Sequence, residues 1–526
     1  MIDTNNSGIM AEKSNETIQK EKRSEELTSF LQNKSFIWGP EPEIYGGIAG
    51  FYTYAPLGKL LKNNVENAIR KTFIKNNFWE VECPCVMQEE VWIASGHAGG
   101  FTDPVIKCSK CKSTFRVDKL IEEVLGDIQL GGKTNEELLL ILADNQIKCP
   151  SCKGNFVPEI LKHNLMMKTT IGLDKVAYNR PETATTTYLP FLRYLTFFRD
   201  KLPFGVFQIG KAFRNEISPR QSVLRGREFT QAEGQLFIYK DQKNNFEPYK
   251  EVKDNKLPLW SYQMQDGNNN PKLISLSEAL EASTLKNQAY AWALNLGFEL
   301  FKSMGIPAEK IRFRQHNLDE RAFYAEDAWD VEIELNSFGW TEVCGIHDRT
   351  TYDLTQHAKH SGKNLVATRE DGTKEVPHVI EIAFGTDRPT FALLDIFYEK
   401  KEVGEGKSVL HLPPRVAPVQ VSIFPLVKKE PVDGIALKIL DDLKGTFVCR
   451  LDRTGSIGKR YVREDEAGTP YCVTVDFEGV ENKEESHMTV TLRNRDTEEQ
   501  KRVHIIKLKH ILNELISDKI RFEDIN

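Results

Sequence analysis

Residues 206–235 read VFQIGKAFRNEISPRQSVLRGREFTQAEGQ and contain two alternating segments on either side of a polar loop at 218–220. Alternation of apolar and polar side chains over several residues is typical of a β-strand with one buried face. The stretch therefore predicts two strands connected by a loop. Because strands connected in this way pair antiparallel, the segment favours a mainly antiparallel sheet.

Charged and aromatic side chains are concentrated where these two strands would meet. Alternation places Arg214 and Glu216 on one face of the first strand. It places Phe229, Gln231 and Glu233 on one face of the second strand. Such a surface offers a guanidinium for a phosphate, a ring for adenine and carboxylates for an ammonium, which suits a nucleotide that carries an amine-bearing substrate. The alternative is an exposed hairpin whose charges pair with one another.

A second hairpin is predicted at 330–344. Residues 330–335 alternate strictly, Asn336 and Ser337 supply a turn, and alternation resumes from Trp340. Helical spacing of apolar residues from Lys59 to Phe78 and from Leu285 to Met304 predicts helices that flank the sheet. The predicted fold class is therefore α+β, with a mixed, mostly antiparallel sheet flanked by helices.

The segment VIEIAFGTDRP at 379–389 predicts a strand that runs into a helix. Alternation sends Glu381 and Ala383 to the face opposite the core. Pro389 suits the first turn of a helix, which places Arg388 where the strand ends and the helix begins. The alternative is an arginine that only caps its own sheet.

Composition changes along the chain predict its domain organisation. Residues 1–30 are polar and charged and predict a disordered or loosely helical tail. We expect a larger domain at 31–410, interrupted by a small insertion at about 102–160 and a polar surface excursion at about 240–280. Strands and helices alternate from 415 to 526, which predicts a separate α/β domain.

Two Cys-x-x-Cys pairs lie within the predicted insertion. Cys108 and Cys111 form the first pair, and Cys149 and Cys152 form the second. Four thiolates can close a tetrahedron around zinc and leave no position open for a substrate, so we expect a structural Zn²⁺ site. The alternative is two redox-active or incidental pairs.

The overall composition excludes several classes of protein. Lys and Arg total 70 and Asp and Glu total 76, so the net charge of −6 gives no global attraction to nucleic acid. No apolar run approaches the roughly 20 residues that a membrane span needs, so we expect no membrane association. The nine cysteines include the two metal-type pairs, which suits a reducing cytosol better than a disulfide framework.

Together these segments resemble the three signature motifs of class II aminoacyl-tRNA synthetases. Phe78-x-x-Val81-x-x-Pro84 corresponds to the first motif, 213–229 to the second and 385–388 to the third. Within that class the chain is most similar to glycyl-tRNA synthetases of the dimeric eukaryotic and archaeal kind. The supporting stretches are GFYTYAPLG at 50–58, SGH at 95–97, RPETA at 180–184, FRNEISPR at 213–220, REFTQAE at 227–233, DR at 348–349 and YDL at 352–354.

The resemblance implies a fold and a reaction. The class II fold is a mixed, mostly antiparallel sheet followed here by a C-terminal α/β anticodon-binding domain. The reaction joins glycine to tRNA in two steps, through a glycyl-adenylate made from ATP. ATP with Mg²⁺, glycine and tRNA are the implied ligands, and a homodimer is implied because the first motif of this class forms a subunit interface.

The resemblance also assigns roles to residues. It implies that Arg214 contacts the α-phosphate, that Phe229 stacks on adenine and that Arg388 covers the other adenine face and the γ-phosphate. Arg214 and Arg388 are thus the expected catalytic residues. The expected ATP-binding residues are Arg214, Asn215, Glu216, Leu224, Arg225, Gly226, Arg227, Glu228, Phe229, Glu342, Val343, Gly385, Thr386, Asp387 and Arg388, with Glu342 assisting through magnesium. The expected substrate-binding residues are Arg116, Glu182, Phe229, Gln231, Glu233, Glu381 and Ala383.

The chain departs from the family pattern at two places. Ile382 and Ala383 stand where the family usually has Pro and Ser, and Thr185 and Thr186 replace a usual Gln-Gly pair. The alternatives to glycine ligation are a synthetase-like paralogue that binds nucleic acid without catalysis and a class II synthetase for proline, threonine or serine.

Overall fold

The structure, a computed structural model, describes residues 5–126, 130, 133–217, 219, 222–322, 324–401 and 408–525 of the 526-residue chain. Positions 218 and 220 of the predicted loop lie outside the described residues. None of the described helices combines the length and the apolar character needed to cross a lipid bilayer.

The N-terminal quarter supplies helices that pack beneath the main sheet. Its elements are α1 (Asn5–Asn33), β1 (Ile37–Trp38), β2 (Thr53–Tyr54), α2 (Pro56–Lys75), β3 (Phe78–Glu80), β4 (Val86–Gln88), α3 (Glu89–Ala94) and α4 (His97–Gly100). Helix α2 buries Leu61, Val65, Ile69 and Phe73 completely, as their helical spacing predicts.

The expectation of a disordered tail at 1–30 is wrong for the second half of that segment. Helix α1 ends at Asn33, and its last two turns bury Leu27, Phe30 and Leu31 in the main core. The Phe30 ring contacts that of Tyr398 at 4.8 Å between centroids. The polar composition of this segment did not predict the packing, because one narrow apolar stripe is enough to attach a helix to a core.

A small insertion follows. It contains β5 (Thr102–Cys108), β6 (Thr114–Arg116), α5 (Val117–Leu125), α6 (Asn135–Asp144) and β7 (Phe156–Asn164), and it is followed by β8 (Met167–Ile171) and β9 (Lys175–Asn179), which form a sheet with β4. Strands β6, β5 and β7 form a sheet, and the two helices pack with it around a core of their own.

The central part of the chain builds the main sheet. Its elements are α7 (Ala184–Tyr188), α8 (Phe191–Phe197), β10 (Phe204–Phe213), β11 (Glu228–Ile238), β12 (Lys256–Trp260), α9 (Tyr262–Asp266), β13 (Lys272–Ser275), α10 (Leu276–Glu281), α11 (Gln288–Ser303), β14 (Ile311–Gln315), β15 (Asp327–Leu335), β16 (Gly339–Thr350), α12 (Tyr352–Ser361), β17 (Ala367–Thr368), β18 (Lys374–Glu375), β19 (His378–Gly385), α13 (Asp387–Phe397) and β20 (Tyr398–Lys400).

Eight of these strands and β3 form one mixed sheet in the spatial order β13-β12-β14-β15-β16-β19-β11-β10-β3. The pairs β12–β14 and β10–β3 are parallel, and the other neighbouring pairs are antiparallel. Helices α2, α11 and α13 share a hydrophobic core with one face of the sheet. The α+β prediction and both predicted hairpins are confirmed.

The surface excursion expected at 240–280 is wrong. Strands β12 and β13 within it extend the main sheet, and Leu257 and Leu259 are fully buried. Lys243 is also buried, and its ammonium bonds the carboxylate of Asp348 at 2.6 Å and that of Glu326 at 3.2 Å. The polar residues between these anchors concealed a segment that adds two strands to one edge of the sheet.

The C-terminal part has its own sheet and core. Its elements are β21 (Ser408–Leu410), β22 (Val421–Pro425), α14 (Val432–Leu443), β23 (Cys449–Leu451), α15 (Ile457–Ala467), β24 (Tyr471–Val475), α16 (Phe477–Val480), β25 (Thr489–Asn494), β26 (Gln500–His504) and α17 (Ile505–Ile516). The sheet order is β23-β22-β24-β25-β26, and β21 pairs instead with β20. The alternation of strands and helices that the sequence predicts from 415 to 526 is present, with three strands after α15.

The packing of α1 gives a stability prediction. Phe30→Ala should lower the free energy of unfolding by about 3 to 5 kcal/mol, because it leaves a cavity beside Tyr398. The matched control is Ile18→Ala on the same helix, where 58 % of the side chain is exposed and the change should be under about 0.5 kcal/mol. Urea unfolding followed by tryptophan fluorescence measures both, and equal effects of the two changes would contradict the packing described here.

Candidate active site

A cavity of about 360 Å³ lies on the face of the main sheet opposite the α2–α11–α13 core. Most of the residues that the sequence predicted for ATP and glycine meet there. They are Glu182, Arg214, Glu216, Leu224, Arg225, Gly226, Phe229, Gln231, Glu233, Glu342, Val343, Glu381, Ala383, Gly385, Asp387 and Arg388.

Strand register fixes the floor of this cavity. Glu233 on β11 lies opposite Ala383 on β19, which lies opposite Gly345 on β16. Two residue pairs further along, and so on the same face, Glu381 lies opposite His347. Because paired side chains point to the same face, the smallest residues form the centre of the floor and larger polar groups surround it.

Arginines gather at one end of the cavity. The Arg214 guanidinium lies 5.4 Å from the ring centroids of both Phe229 and Phe101, and its Nε donates to the carbonyl of Pro181 at 3.0 Å. Arg214 follows β10, which ends at Phe213, so it is held by these contacts and not by strand alternation. Arg214 lines the cavity, where its guanidinium could donate hydrogen bonds to a phosphate.

Arg388 occupies the start of α13, as the sequence predicted. Its Nη1 donates to the backbone oxygen of Glu342 at 2.7 Å and to the Glu342 carboxylate at 3.2 Å. This guanidinium lowers the pKa of Glu342. The pair therefore keeps an ionised carboxylate at the cavity rim, a hard oxygen ligand of the type that Mg²⁺ prefers.

Arg116 reaches the site from the insertion. It forms ion pairs with Asp103 at 2.9 Å and with Asp118, and it lines an adjoining groove together with Arg214 and Arg388. Its place in the insertion thus does not separate it from the predicted ATP-binding residues.

Four predicted nucleotide-binding residues do not line the cavity. Arg227 turns away to donate to the backbone oxygens of Glu216 and Ala49. Glu228 pairs with Lys211 at 3.0 Å on the other side of β11. The remaining two are Thr386, which is fully buried, and Asn215, which is half-buried and accepts a hydrogen bond from His163 at its backbone oxygen.

Asp387 has its carboxylate directed into the protein. It accepts from the backbone nitrogen of Thr230 at 2.7 Å and pairs with the buried Lys62 of α2. Lys62 also donates to the Thr230 hydroxyl at 2.9 Å. This network ties the start of α13 to β11 and to α2, so Asp387 supports the position of Arg388 from below.

Three carboxylates form the opposite end of the cavity. Glu182 contacts His97 Nε2 at 3.4 Å and accepts from the Thr185 hydroxyl at 2.6 Å. Glu233 accepts from the Thr183 hydroxyl. Glu381 accepts from Arg349 Nη1 at 2.9 Å and lies 3.3 Å from His347 Nδ1. Each carboxylate thus has a partner outside the group of three.

Crowding separates the pKa values of these acids. Burial, with the negative charges of Glu381 and Glu182, raises the pKa of Glu233 to about 8. Burial alone would raise the pKa of Glu182, but His97 and Arg349 lower it. Arg349 and His347 likewise outweigh burial and lower the pKa of Glu381. This end of the cavity therefore holds two ionised carboxylates and one neutral acid at neutral pH.

Sequence reasoning missed the residues that hold these carboxylates. His347 and Arg349 lie on β16, and Arg349 is itself held by two bonds of 2.7 Å to Asp353 of α12. Only the strand pairing brings them to Glu381. Strict alternation along β16 from Glu342 would place Cys344 and Ile346 on the cavity face, and not His347. The bulge at Val343 shifts this pattern by one residue and brings His347 to the cavity. The stretches that contain His97 and Arg349 belong to the family resemblance, but that resemblance assigns neither residue a role.

The four cysteines of the insertion also meet. Cys108 Sγ lies 3.5 Å from Cys152 Sγ, and Cys111 Sγ lies 3.6 Å from Cys149 Sγ. A tetrahedral Zn²⁺ with Zn–S bonds of about 2.3 Å has sulfurs about 3.8 Å apart. The spacing of the thiols thus fits one zinc ion.

Comparison with known proteins agrees with this geometry. A family model described as an anticodon-binding domain matches residues 420–515. The chain is 39 % identical to a glycine–tRNA ligase of Pyrococcus horikoshii, over 94 % of this chain and 98 % of that protein. It is 37 % identical to a glycine–tRNA ligase of Methanococcus maripaludis, over 91 % and 97 % of the two chains.

Solved structures share the fold. A Giardia lamblia prolyl-tRNA synthetase in complex with prolyl-adenylate matches with a TM-score of 0.60 at 14 % identity, over 95 % of this chain and 80 % of that one. A Cryptosporidium parvum prolyl-tRNA synthetase matches with a TM-score of 0.55 at 16 % identity, over 94 % and 77 %. With its arginine-lined cavity, its three carboxylates and its near full-length relatives, the chain belongs to the glycine–tRNA ligase family of class II aminoacyl-tRNA synthetases.

Proposed function

We propose that this chain activates glycine with ATP and transfers the glycyl group to the 3′ end of tRNA. The observation that carries the proposal is the small-residue floor at Ala383 and Gly345, with Glu182, Glu233 and Glu381 around it. Glycine has no side chain, so its binding site needs acids that hold the ammonium and needs no space for further atoms at the α-carbon. The cytosol is the expected compartment.

The first step joins the glycine carboxylate to the α-phosphorus of ATP and releases pyrophosphate. Arg214 lies between the ring of Phe229 and the acidic end, where a bent ATP would bring its α-phosphate. Its guanidinium would stabilise the charge that develops on the phosphorus centre. Phe229 and Arg388 would hold the adenine, so the protein contributes alignment and charge and needs no nucleophile of its own.

In the second step a ribose hydroxyl of the terminal tRNA nucleotide attacks the glycyl carbonyl carbon, and AMP leaves. Binding of tRNA is consistent with the match of residues 420–515 to anticodon-binding domains.

Glu342, at the rim beside Arg388, would hold Mg²⁺ on the phosphates of ATP, where the ion would neutralise part of their charge.

Of the departures from the family pattern, those at 382 and 383 fall on opposite faces of β19, and the other two lie on α7. Ile382 is buried against the core, so it does not touch the cavity. Ala383 lies on the floor between Glu233 and Gly345 and offers no hydroxyl. The hydroxyl of Thr185 donates a hydrogen bond to Glu182, so a hydroxyl is still present beside one of the three carboxylates.

The four cysteines are proposed to bind one structural zinc ion. They close the end of the insertion, whose strand β6 leads directly to Arg116. A closed four-thiolate site leaves no position for a substrate, so the ion would hold the insertion in place and would take no part in the reaction.

A homodimer is also proposed. Phe78 of the first motif is buried within its own chain, but Trp79 beside it is 55 % exposed and its ring contacts that of Phe197, which is 59 % exposed. Ile74 at the end of α2 is exposed as well. These apolar side chains next to the first motif suit a subunit interface.

The alternatives make distinct predictions. A non-catalytic paralogue has no need to retain Arg214, Phe229 and Arg388 around one cavity, and all three are present. A synthetase for proline, threonine or serine needs room for a side chain, and the relatives named above are glycine–tRNA ligases.

Pyrophosphate exchange across all twenty amino acids tests the proposed function. Glycine should support exchange, and proline, threonine and serine should not. Exchange with none of the amino acids would contradict the enzymatic proposal, and preferential exchange with another amino acid would contradict the glycine assignment.

Arg214→Ala should reduce glycine-dependent exchange by about 10² to 10³-fold, because it removes the group that faces the reacting phosphorus. The matched control is Arg193→Ala on the exposed side of α8, which should leave exchange unchanged. Circular dichroism should show the same fold for both variants. Wild-type exchange by Arg214→Ala would exclude this role.

The raised pKa of Glu233 predicts a pH dependence. Below about pH 8 this carboxyl is protonated in the free protein, and it must ionise to bind an ammonium. The KM for glycine should therefore rise as pH falls from 8, by up to about tenfold per pH unit. Exchange kinetics between pH 6.5 and 8.5 measure it.

Two variants on β11 control the pH prediction. Glu233→Gln should bind glycine weakly and lose the pH dependence of KM over this range. Glu228→Gln, whose carboxylate pairs with Lys211 away from the cavity, should keep it. The prediction fails if the KM profile of the unmodified protein is flat.

Elemental analysis tests the zinc proposal. The purified protein should contain one zinc per chain, and Cys149→Ser should remove it and lower the thermal midpoint, because the ion closes the insertion. Cys85→Ser, outside the four-cysteine group, serves as the control and should retain the metal. Full stability without bound zinc would contradict a structural role.

A further inference from the structure

The His347 imidazole lies over the floor of the cavity, at the acidic end. A Cβ atom added to Gly345 would lie 2.8 Å from His347 Cε1 and 3.1 Å from Nε2. The ring therefore occupies the space that a side chain at position 345 would take. It is 21 % exposed and lines the cavity.

Neighbouring residues hold this ring in place. Its Nδ1 lies 3.3 Å from the Glu381 carboxylate, and the ring of His316 meets it edge-on at 6.1 Å between centroids. His316 is itself fixed by Asp330, at 2.7 Å from Nε2. Movement of His347 away from Gly345 would break its contact with Glu381, so the ring has a defined position.

Without this ring the floor would be wide. Gly345 and Ala383 are paired neighbours, and together they present a single methyl group to the cavity. Glu233 borders this gap on one side and Asp330 on the other. A floor with so little bulk beside the carboxylates could accommodate an amino acid with a methyl or hydroxymethyl side chain.

We propose that His347 is a specificity-determining residue, whose ring fills the gap over Gly345 and excludes amino acids that carry a Cβ. This inference rests on the proposed glycine activation and deepens it. Exclusion by a packed wall suits the smallest amino acid, because attraction cannot distinguish glycine from larger substrates that share its ammonium and carboxylate. The contact with Glu381 keeps the ring facing the substrate.

Amino-acid-dependent pyrophosphate exchange with His347→Ala tests this proposal. Glycine-dependent exchange should persist, with a higher KM because Glu381 loses a partner. The ratio of kcat/KM for alanine to that for glycine should rise at least tenfold over the unmodified protein. His487→Ala, an exposed histidine of the C-terminal part, is the matched control and should leave the ratio unchanged.

Two further variants separate bulk from hydrogen bonding. His347→Phe keeps the bulk and loses the bond to Glu381, so it should raise the glycine KM while still excluding alanine. Adding Gly345→Ala to His347→Ala places a methyl group in the vacated gap and should lower the alanine-to-glycine ratio again, by at least threefold relative to His347→Ala.

The outcomes distinguish this proposal from the proposed function. An unchanged alanine-to-glycine ratio in a His347→Ala protein that still uses glycine would overturn the role of His347 alone. Absence of glycine exchange in the unmodified protein would instead overturn the proposed function. If His347→Ala fails to fold, two other variants test the same point. His347→Phe should still exclude alanine, whereas His347→Ser should admit it. Equal exclusion of alanine by both variants would overturn the proposal.

Discussion

The chain buries three carboxylates at one end of a single cavity, and much of the surrounding structure offsets the cost of doing so. Like charges in a poorly solvated site repel, so each acid needs a partner or a proton. Arg349 and His347 supply partners to Glu381, His97 supplies one to Glu182, and the raised pKa of Glu233 leaves it protonated. A substrate ammonium can complete this balance, which makes the site selective for a small cation next to a reactive carboxylate.

The opposite end of the cavity carries the opposite charge, and strand register joins the two ends. Arg214, Arg225 and Arg388 face the region where a triphosphate would lie. Pairing of β11 with β19 and of β19 with β16 sets the distance from these arginines to the acids. A one-residue slip would turn Glu233 or Glu381 into the hydrophobic core. The buried bonds from Lys62 and Asp387 to Thr230 help to prevent such a slip.

Local pattern predicted those parts of the site that depend on a single strand. Alternation placed Phe229 and Glu233 on one face of β11, and Glu381 opposite the core on β19. The partners of these residues could not be predicted, because His347 reaches Glu381 only through strand pairing between distant segments. The tail and the 240–280 segment were misjudged for a related reason. Only a few apolar residues attach each segment to the main core. The average composition of each segment is polar, so it does not reveal these few contacts.

The most direct measurement is a crystal structure of the protein with a non-hydrolysable glycyl-adenylate analogue. The adenine should lie between Phe229 and Arg388, the phosphate mimic should contact Arg214, and the ammonium should contact Glu182, Glu233 and Glu381. An analogue bound with its ammonium away from the three carboxylates, or with its adenine outside the Phe229–Arg388 gap, would contradict the account.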